Sequence, residues 1–335
     1  MKHYIRGISL QVALLTVAAI IAIDAGATTN EIIVTGRKWR EPLANLPQSA
    51  TVVAAGDAGA RDLTTTRETT RGIANLTVAE FTARRLSYPF VRGIWSGGSS
   101  PAIITCVDGV PNYSYATADQ ELTGVERVEF IRGPQSATYG RNALGGVINI
   151  VTRQPDDEAG GDISLTTGNY NLWETRFSAN GDPGTNLPLA GISGGFTRRD
   201  GYTVNEVSGE SLDDRQAVFG RVQFLWPDLG GWSVKVSLSG ETARDGGYAL
   251  GDLATLRANS HKVQNDYTGS TDRDIAQAAV TITRKGHAVD FTSITAYQWW
   301  ESEDKTDLDA SAIDLLKRDN CEEQGTLLQE LRRGS

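Results

Sequence analysis

The fold of this chain is decided by residues 125–152, which read VERVEFIRGPQSATYGRNALGGVINIVT. β-Branched and aromatic residues cluster at both ends of the stretch, where they favour strands. Between the ends lie Gly133-Pro134 and the small-residue run 140–146, which supply turn geometry and close backbone approach. The stretch therefore predicts a strand, a tight turn, a small-residue loop and a second strand.

The composition indicates an ordered, β-rich protein and excludes one class of partner. The 335 residues are enough for one large or two ordinary domains, and 39% of them are hydrophobic. A net charge of −9 argues against nucleic acid as a partner, because phosphates need a basic surface. Cys106 and Cys321 are too few for a disulfide framework or a four-ligand zinc site, and whether they pair stays open.

The N-terminus has the pattern of a secretory signal peptide. Lys2 and Arg6 form a basic start, residues 8–23 form an apolar run, and residues 25–27 fit a small-x-small cleavage site. We predict a signal peptide over 1–27, cleaved after Ala27. The alternative is an uncleaved anchor, although the apolar run is short for a transmembrane helix.

Residues 126–152 resemble, almost residue for residue, the end of the plug domain of TonB-dependent outer-membrane receptors. Residues 91–93 and 107–111 also resemble plug motifs, so the resemblance covers a domain and not one pattern. It implies an α/β plug domain over 48–155, enclosed by an antiparallel transmembrane β-barrel. It also places the protein in the outer membrane of a Gram-negative bacterium, in contact with outer-membrane lipid.

A short β-prone run near the predicted mature N-terminus resembles the TonB box, the segment that TonB pairs with in the periplasm. Its residues are Glu31, Ile32, Ile33, Val34 and Thr35. A flexible strand of this kind can add itself to the sheet edge of a partner. We therefore expect residues 28–47 to be an extended periplasmic tether, with an ordinary first strand as the alternative.

Residues 160–335 alternate between apolar and polar side chains, which is the pattern of strands with one apolar and one polar face. In a transmembrane barrel the apolar face meets lipid; a soluble β-sandwich uses the same alternation, and the preceding plug favours the barrel. Aromatic residues near strand ends suit interfacial girdles: Tyr170, Trp173, Trp226, Trp232, Tyr297, Trp299 and Trp300. About eight strands are predicted, over 161–168, 172–180, 189–199, 214–226, 231–243, 272–285, 288–301 and 323–333.

The predicted strands do not complete the barrel of the family. Receptors of this kind close about 22 strands around the plug, which requires more than ~400 residues at about 10 residues per strand plus loops. An incomplete sheet in lipid leaves unpaired backbone edges. We therefore expect this chain to be the N-terminal part of a receptor, as a fragment or a truncated product.

Nothing in the sequence predicts an enzyme, a cofactor or a metal site. It has no Gly-x-x-x-x-Gly-Lys-Ser/Thr loop of the kind that holds phosphates. The three histidines, His3, His261 and His287, are not spaced as metal ligands with one another or with cysteine.

The resemblance implies two sets of functional residues in the plug. Arg92, Glu126 and Arg132, and less strongly Arg141, occupy positions at which family plugs form ion pairs with the barrel; the alternative is that they are solvated surface charges. Ligand contacts in the family come from apical loops, where this chain has Trp95, Ser96, Tyr113 and Tyr115, although these aromatic residues could equally belong to the plug core.

The resemblance implies TonB-dependent uptake of a ferric siderophore, with cobalamin, haem or a carbohydrate as other cargoes. Binding from outside would make the TonB box available, and TonB would then pull the plug. One alternative function is a soluble periplasmic binding or interaction module. Another is a non-transporting protein that occupies TonB.

Overall fold

None of the helices in the described part of the chain is long and apolar enough to cross a membrane. The chain is organised as a small mixed domain followed by a large antiparallel sheet. The predicted signal peptide, Glu31 and Ser96 lie outside the described residues. The structure is a computed structural model that describes residues 32–55, 63–95, 100–286 and 289–334.

The first part of the chain is the plug. Strands β3, β8, β9, β6 and β7 lie side by side in that order, with β8 and β9 antiparallel and β6 and β9 parallel, while β4 and β5 form a hairpin that the sequence did not predict. The predicted strand–turn–strand unit over 125–152 is confirmed as β8 and β9. The elements in chain order are β1 (Ile33–Val34), β2 (Glu41–Pro42), β3 (Ala50–Ala54), α1 (Thr66–Thr69), β4 (Leu76–Glu80), β5 (Ser87–Val91), β6 (Ile103–Val107), β7 (Val110–Asn112), β8 (Val125–Arg132), α2 (Ser136–Tyr139) and β9 (Gly146–Thr152).

Strands β8 and β9 carry an apolar face and a polar face, both buried. Glu129 and Asn149 are cross-strand partners on the polar face. Gly146 has a φ of 153°, and a Cβ there would lie 2.5 Å from the Ile131 carbonyl oxygen, so the strands can meet only at a glycine. The apolar face packs into the plug core through Val128, Phe130, Ile148 and Ile150.

The second part of the chain is a sheet of eight long antiparallel strands, called the wall below. Its order is β10, β11, β12, β15, β16, β18, β19 and β20, so each long strand pairs with the next along the chain. Short strands in the connections form a separate three-stranded sheet. The elements are β10 (Gly160–Gly168), β11 (Leu172–Gly181), β12 (Leu189–Arg199), β13 (Thr203–Asn205), β14 (Ser211–Leu212), β15 (Arg215–Trp226), β16 (Ser233–Gly246), α3 (Leu253–Ala258), β17 (Lys262–Val263), β18 (Ser270–Arg284), β19 (Asp290–Asp307) and β20 (Lys317–Gly334).

The predicted alternation along these strands is confirmed. In β16, Lys235, Glu241 and Asp245 contact the plug, whereas Leu238 on the opposite face is 49% exposed. Trp300 departs from the prediction of an interfacial girdle, because it is buried on the plug side. Exposed apolar side chains continue across the outer face of the wall: Ile163, Leu165, Phe177, Ile192, Val218, Val280, Tyr297, Leu327 and Leu331.

The eight predicted strands are present, and the last two are longer than predicted. Strand β19 reaches Asp307 and β20 begins at Lys317, so the connection between them spans only residues 308–316. The sequence did not predict this extension, because residues 301–307 are all polar and show no alternation of apolar and polar side chains. Cys106 is buried in the plug, Cys321 is exposed on β20, and both are free thiols.

Asp119 is a buried carboxyl group in the plug, and burial together with nearby Glu80 raises its pKa to about 6. One of its oxygens accepts the Arg67 backbone N–H at 2.8 Å. Because this pKa is higher than the ordinary 3.8, the folded protein binds the proton more tightly than the unfolded chain does. The stability that Asp119 contributes therefore falls as the pH rises from about 4 to about 6.

We expect Asp119→Asn to remove this loss, since an amide oxygen can still accept the Arg67 N–H. The unfolding free energy of the variant relative to the parent should increase by about 2.5 kcal/mol between pH 4 and pH 7.5. Guanidinium unfolding in detergent micelles at the two pH values measures it, with the exposed Asp157→Asn as control. A difference that is the same at both pH values would contradict the assignment.

Candidate functional site

The described part of the predicted TonB box is folded back on itself. Ile33–Val34 pairs antiparallel with Glu41–Pro42, and the Leu43 N–H donates to the Ile32 carbonyl oxygen at 2.8 Å. Val34 is fully buried, while Ile32 is 49% exposed. Residues 32–42, called the N-terminal hairpin below, are therefore paired with one another and docked on the plug.

A buried carboxylate of the plug holds this hairpin. The Thr35 N–H donates to Glu129 Oε2 at 2.9 Å and to Oε1 at 3.1 Å, and the Thr35 hydroxyl donates to Oε1 at 3.2 Å. The same carboxylate accepts from Arg127 Nε at 2.8 Å and from Asn149 Nδ2 at 3.0 Å. Glu129 is fully buried, so these donors replace the water that a carboxylate otherwise needs.

Close packing beside Thr35 fixes the position of the hairpin. A Cβ at Gly36 would lie 2.5 Å from Ile131 Cδ1 and 3.1 Å from Glu129 Oε2, so only glycine allows this approach without a shift. The Tyr139 hydroxyl, at the end of α2, donates to the Gly36 carbonyl oxygen at 2.8 Å. The hairpin thus meets the part of the plug that the 125–152 stretch builds.

The hairpin also touches the wall. Lys38 Nζ forms an ion pair with Glu330 of β20 at 2.8 Å, and Arg332 Nη1 donates to the Lys38 carbonyl oxygen at 3.1 Å. The Lys38 ammonium lies 4.7 Å from the centre of the Tyr139 ring. One segment therefore joins the plug to the last strand of the wall through polar contacts.

Buried ion pairs join the plug to the wall elsewhere. Arg84 Nε lies 2.6 Å from Asp245 Oδ2 of β16, and Arg84 Nη1 lies 3.0 Å from Glu121 of the plug. Burial lowers the pKa of Arg84, but Asp245 and Glu121 outweigh it and raise the pKa above its ordinary value. Arg84 therefore stays charged, and its position requires both carboxylates.

Neighbouring pairs extend the contact towards both ends of the plug. Arg85 lies 2.8 Å from Asp304 of β19 and 2.7 Å from Glu322 of β20. Near the other end, Lys235 Nζ lies 3.2 Å from Asp108. Burial raises the pKa of Asp108, but Lys235 and hydrogen bonds from the neighbouring Thr152 outweigh it, so the pKa is lowered.

The four residues predicted to pair with the barrel have their described contacts inside the plug. Glu126 pairs with Arg127 of the same strand, and Arg132 donates to Ser49 and to the Ala74 carbonyl. Arg141 lies over the Tyr113 ring at 4.4 Å. Arg92 is exposed in a turn, with a φ of 50°. Pairing with the barrel is not seen for any of the four across the eight described strands.

The pairs that the structure does form were missed because their members are far apart in sequence. Arg84 and Asp245 are 161 residues apart, and no local pattern links them. The one available signal was the Arg84-Arg85 doublet, directly before a buried strand in a chain with an excess of acid. Two adjacent arginines at such a place need carboxylates nearby.

A cavity of about 780 Å³ lies between the apex of the plug and the wall. Two of the predicted ligand residues, Tyr113 and Tyr115, line it, but Trp95 does not and stacks on Phe90 at 5.1 Å. The lining also includes a residue that the sequence placed at the membrane interface, Trp300. Its aromatic and charged members include Arg85, Tyr88, Arg141 and Glu322.

Residues 42–147 match the model of the TonB-dependent receptor plug domain family. The chain is 31% identical to the pesticin receptor of Yersinia enterocolitica over 221 residues, which cover 65% of this chain and 32% of that protein. It is 26% identical to the vitamin B12 transporter BtuB of Vibrio vulnificus over 296 residues, covering 79% and 47%. The chain thus spans less than half the length of these relatives.

Solved structures with the same fold include an uptake receptor and an import receptor. The ferric yersiniabactin uptake receptor FyuA from Yersinia pestis matches with a TM-score of 0.76 and 24% identity, over 85% of this chain and 45% of that chain. The ferric-catecholate import receptor Fiu from E. coli K12 matches with a TM-score of 0.64 and 15% identity, over 90% and 49%. At these identities the likeness establishes the fold alone.

We expect Glu129→Gln to loosen the N-terminal hairpin without unfolding the plug. Hydrogen bonds to a charged acceptor are worth about 1.5–3 kcal/mol, so weakening those to Thr35 should raise local opening roughly tenfold or more. Hydrogen exchange of the peptide over residues 33–37 measures the effect. Glu126→Gln is the matched control, because Glu126 also pairs with Arg127 but does not contact Thr35. Equal exchange in both variants would show that Glu129 is not the holding group.

Proposed function

Because this chain belongs to the TonB-dependent receptor family, we propose that it is the plug-bearing part of an outer-membrane receptor for active, TonB-driven uptake of a ferric siderophore or a similar large ligand. The named relatives are receptors and a transporter, not enzymes. The observation that carries the proposal is the docking of the N-terminal hairpin on a plug that is itself ion-paired to a transmembrane wall.

The hairpin has the properties of a segment that a partner can take over. Its ladder has two residue pairs, and Pro42 has no N–H to contribute, so the pairing of β1 with β2 is weak. Ile32 and Trp39 are 49% and 52% exposed, so a partner can pack against these apolar side chains. A strand of TonB that pairs with residues 31–35 would replace the β1–β2 ladder by β-augmentation.

The contacts of the hairpin suggest how a pull reaches the plug. Thr35 is bonded to Glu129, which lies on the same sheet as the plug core, so tension on the hairpin acts first on this carboxylate. The plug–wall ion pairs bind specifically, and a buried pair adds little net energy relative to apolar contact. An interface made of such pairs can hold the plug in one position and still allow it to move.

The cavity at the plug apex is the proposed ligand site. Its volume falls in the range of pockets that bind small molecules. Aromatic rings with Arg85 and Arg141 suit a ligand that carries both rings and anionic oxygen donors. Among the ligands in the names of similar proteins, a ferric siderophore fits this description best, and vitamin B12 is the second candidate.

We expect Ile33→Pro to abolish coupling to TonB, because proline removes a backbone donor from the strand to be paired. Binding of the receptor to the periplasmic domain of TonB should weaken at least about tenfold, while Ile33→Val, which keeps the donor, should bind like the parent. Cross-linking of the receptor to the periplasmic domain of TonB in outer-membrane vesicles measures this binding. Unaltered TonB binding by Ile33→Pro would refute the assignment of the TonB box.

The same vesicles separate a transporter from a soluble module. A receptor with transmembrane strands should resist carbonate extraction and show heat-modifiable migration on a gel. Release by carbonate would favour the alternative of a soluble periplasmic module that binds TonB without transport.

We expect Arg141→Ala and Tyr113→Ala to reduce ligand affinity about tenfold each, since both groups line the cavity and contact one another. Trp95→Ala should leave affinity within about twofold, because Trp95 does not line this cavity. Tryptophan fluorescence titration with ferric yersiniabactin, a ferric catecholate and vitamin B12 measures binding. A loss confined to Trp95→Ala would move the ligand site to the loop over 95–100.

A further inference from the structure

Three aspartates in or beside two connections of the wall lie close together, and none of them lines the cavity. Asp266 lies between β17 and β18, Asp307 ends β19, and Asp309 lies in the connection from β19 to β20. Each offers a carboxylate oxygen, and these oxygens lie within 4.8 Å of one another. The Asp266 N–H donates to the Ser311 carbonyl oxygen at 2.9 Å, so the two connections are already in contact.

Two carboxylate oxygens of this cluster are buried and lack a donor. Asp307 is 3% exposed, and its Oδ2 has no hydrogen-bond partner among the described residues. The same holds for Asp266 Oδ1. The other oxygen of Asp307 is satisfied, because it accepts the N–H groups of Asp309 and Ala310 at 3.1 and 2.9 Å. A buried anionic oxygen that accepts no protein donor is costly, so both atoms are available to ligate a cation.

The protein supplies too little positive charge for the cluster. Lys317 Nζ lies 2.9 Å from Asp266 Oδ2, but it also lies 3.0 Å from Asp314 and is shared between them. Asp309 takes its hydrogen bonds from the Ser311 hydroxyl and the Leu316 N–H, which carry no charge. Only Asp266 of the three carboxylates contacts this ammonium, so the cluster keeps an excess of negative charge.

We propose that Asp266, Asp307 and Asp309 bind one Ca²⁺ ion that joins the two connections of the wall. Calcium holds oxygen ligands at about 2.3–2.6 Å, so oxygens around one ion are at most about 5 Å apart, as they are in this cluster. Its flexible coordination number allows water to complete the site, whereas Mg²⁺ requires nearly ideal octahedral geometry. The cluster contains no histidine or cysteine, so it does not suit zinc or copper.

The bound ion would hold two connections of the wall in a fixed position relative to each other. Asp266 belongs to the connection that carries β17, which pairs with β13 in the small three-stranded sheet. Asp309 belongs to the loop over 308–316, which leads into β20, and β20 contributes Glu322 to the cavity. Calcium would thus tie the small sheet to the loop that precedes a cavity-lining strand. This inference does not depend on the identity of the transported ligand.

Calcium titration of the receptor in detergent micelles tests the proposal. After removal of divalent ions with a chelator, CaCl₂ alone should bind at one saturable site by calorimetry and raise the melting temperature. Asp307→Asn and Asp309→Asn should each weaken binding at least about tenfold and remove the calcium-dependent rise. The matched control is Asp314→Asn, an acid in the same loop that pairs with Lys317 but lies outside the cluster; its binding should stay within about twofold of the parent.

Asp309→Asn keeps the test decisive if Asp307→Asn fails to fold, because Asp309 is only partly buried. MgCl₂ should bind at least about tenfold more weakly than CaCl₂. Absence of saturable binding up to about 10 mM CaCl₂, or folded cluster variants that bind calcium like the parent, would overturn the proposal. Equal affinity for both ions would also overturn it, since that result indicates general attraction to an acidic surface.

Discussion

The structure depends on the requirement that a buried charge must have a partner. Arg84 is buried between the plug and the wall and stays charged, so it can occupy its place only if Asp245 and Glu121 stand beside it. Arg85, Asp108 and Lys38 impose the same condition at other points of the contact. Because each pair has one geometry, the set fixes the rotation of the plug against the wall while adding little net binding energy.

The N-terminal hairpin differs from the plug core in what holds it. The core is held by apolar burial through residues such as Phe130 and Ile148, which cannot be removed without exposing apolar surface. The hairpin is held by hydrogen bonds from Thr35 to Glu129 and by the ion pair from Lys38 to Glu330. Polar contacts can be exchanged for contacts with a partner or with water, so the hairpin can leave while the core stays intact.

The sequence predicted what depends on local pattern and missed what depends on tertiary contact. The long strands and the unit over 125–152 follow from period-two alternation and turn residues, which are local. The plug–wall pairs were not predictable, because Arg84 and Asp245 are 161 residues apart and meet only once the plug is seated. The docked hairpin was missed for a related reason, because Thr35 and Glu129 are 94 residues apart. The β-prone run alone does not indicate that a buried carboxylate of the plug binds it. Helical or strand periodicity also says nothing of the aspartate cluster, because Asp266 and Asp309 lie in irregular connections and Asp307 is the last residue of its strand.

The distribution of charge links the plug–wall contact to the aspartate cluster. Inside the wall, acids and bases are matched closely: Arg84 meets two carboxylates, Glu121 meets Arg84 and Arg176, and Glu241 meets Arg273. The chain as a whole has nine more acids than bases, so some carboxylates lie at places without a base of their own. Asp266, Asp307 and Asp309 are one such place, and two of their buried oxygens have no donor from the described chain. The positive charge that the protein does not provide there has to come from an ion in solution. Three oxygen ligands at this spacing favour one bound divalent ion over loosely associated monovalent ions.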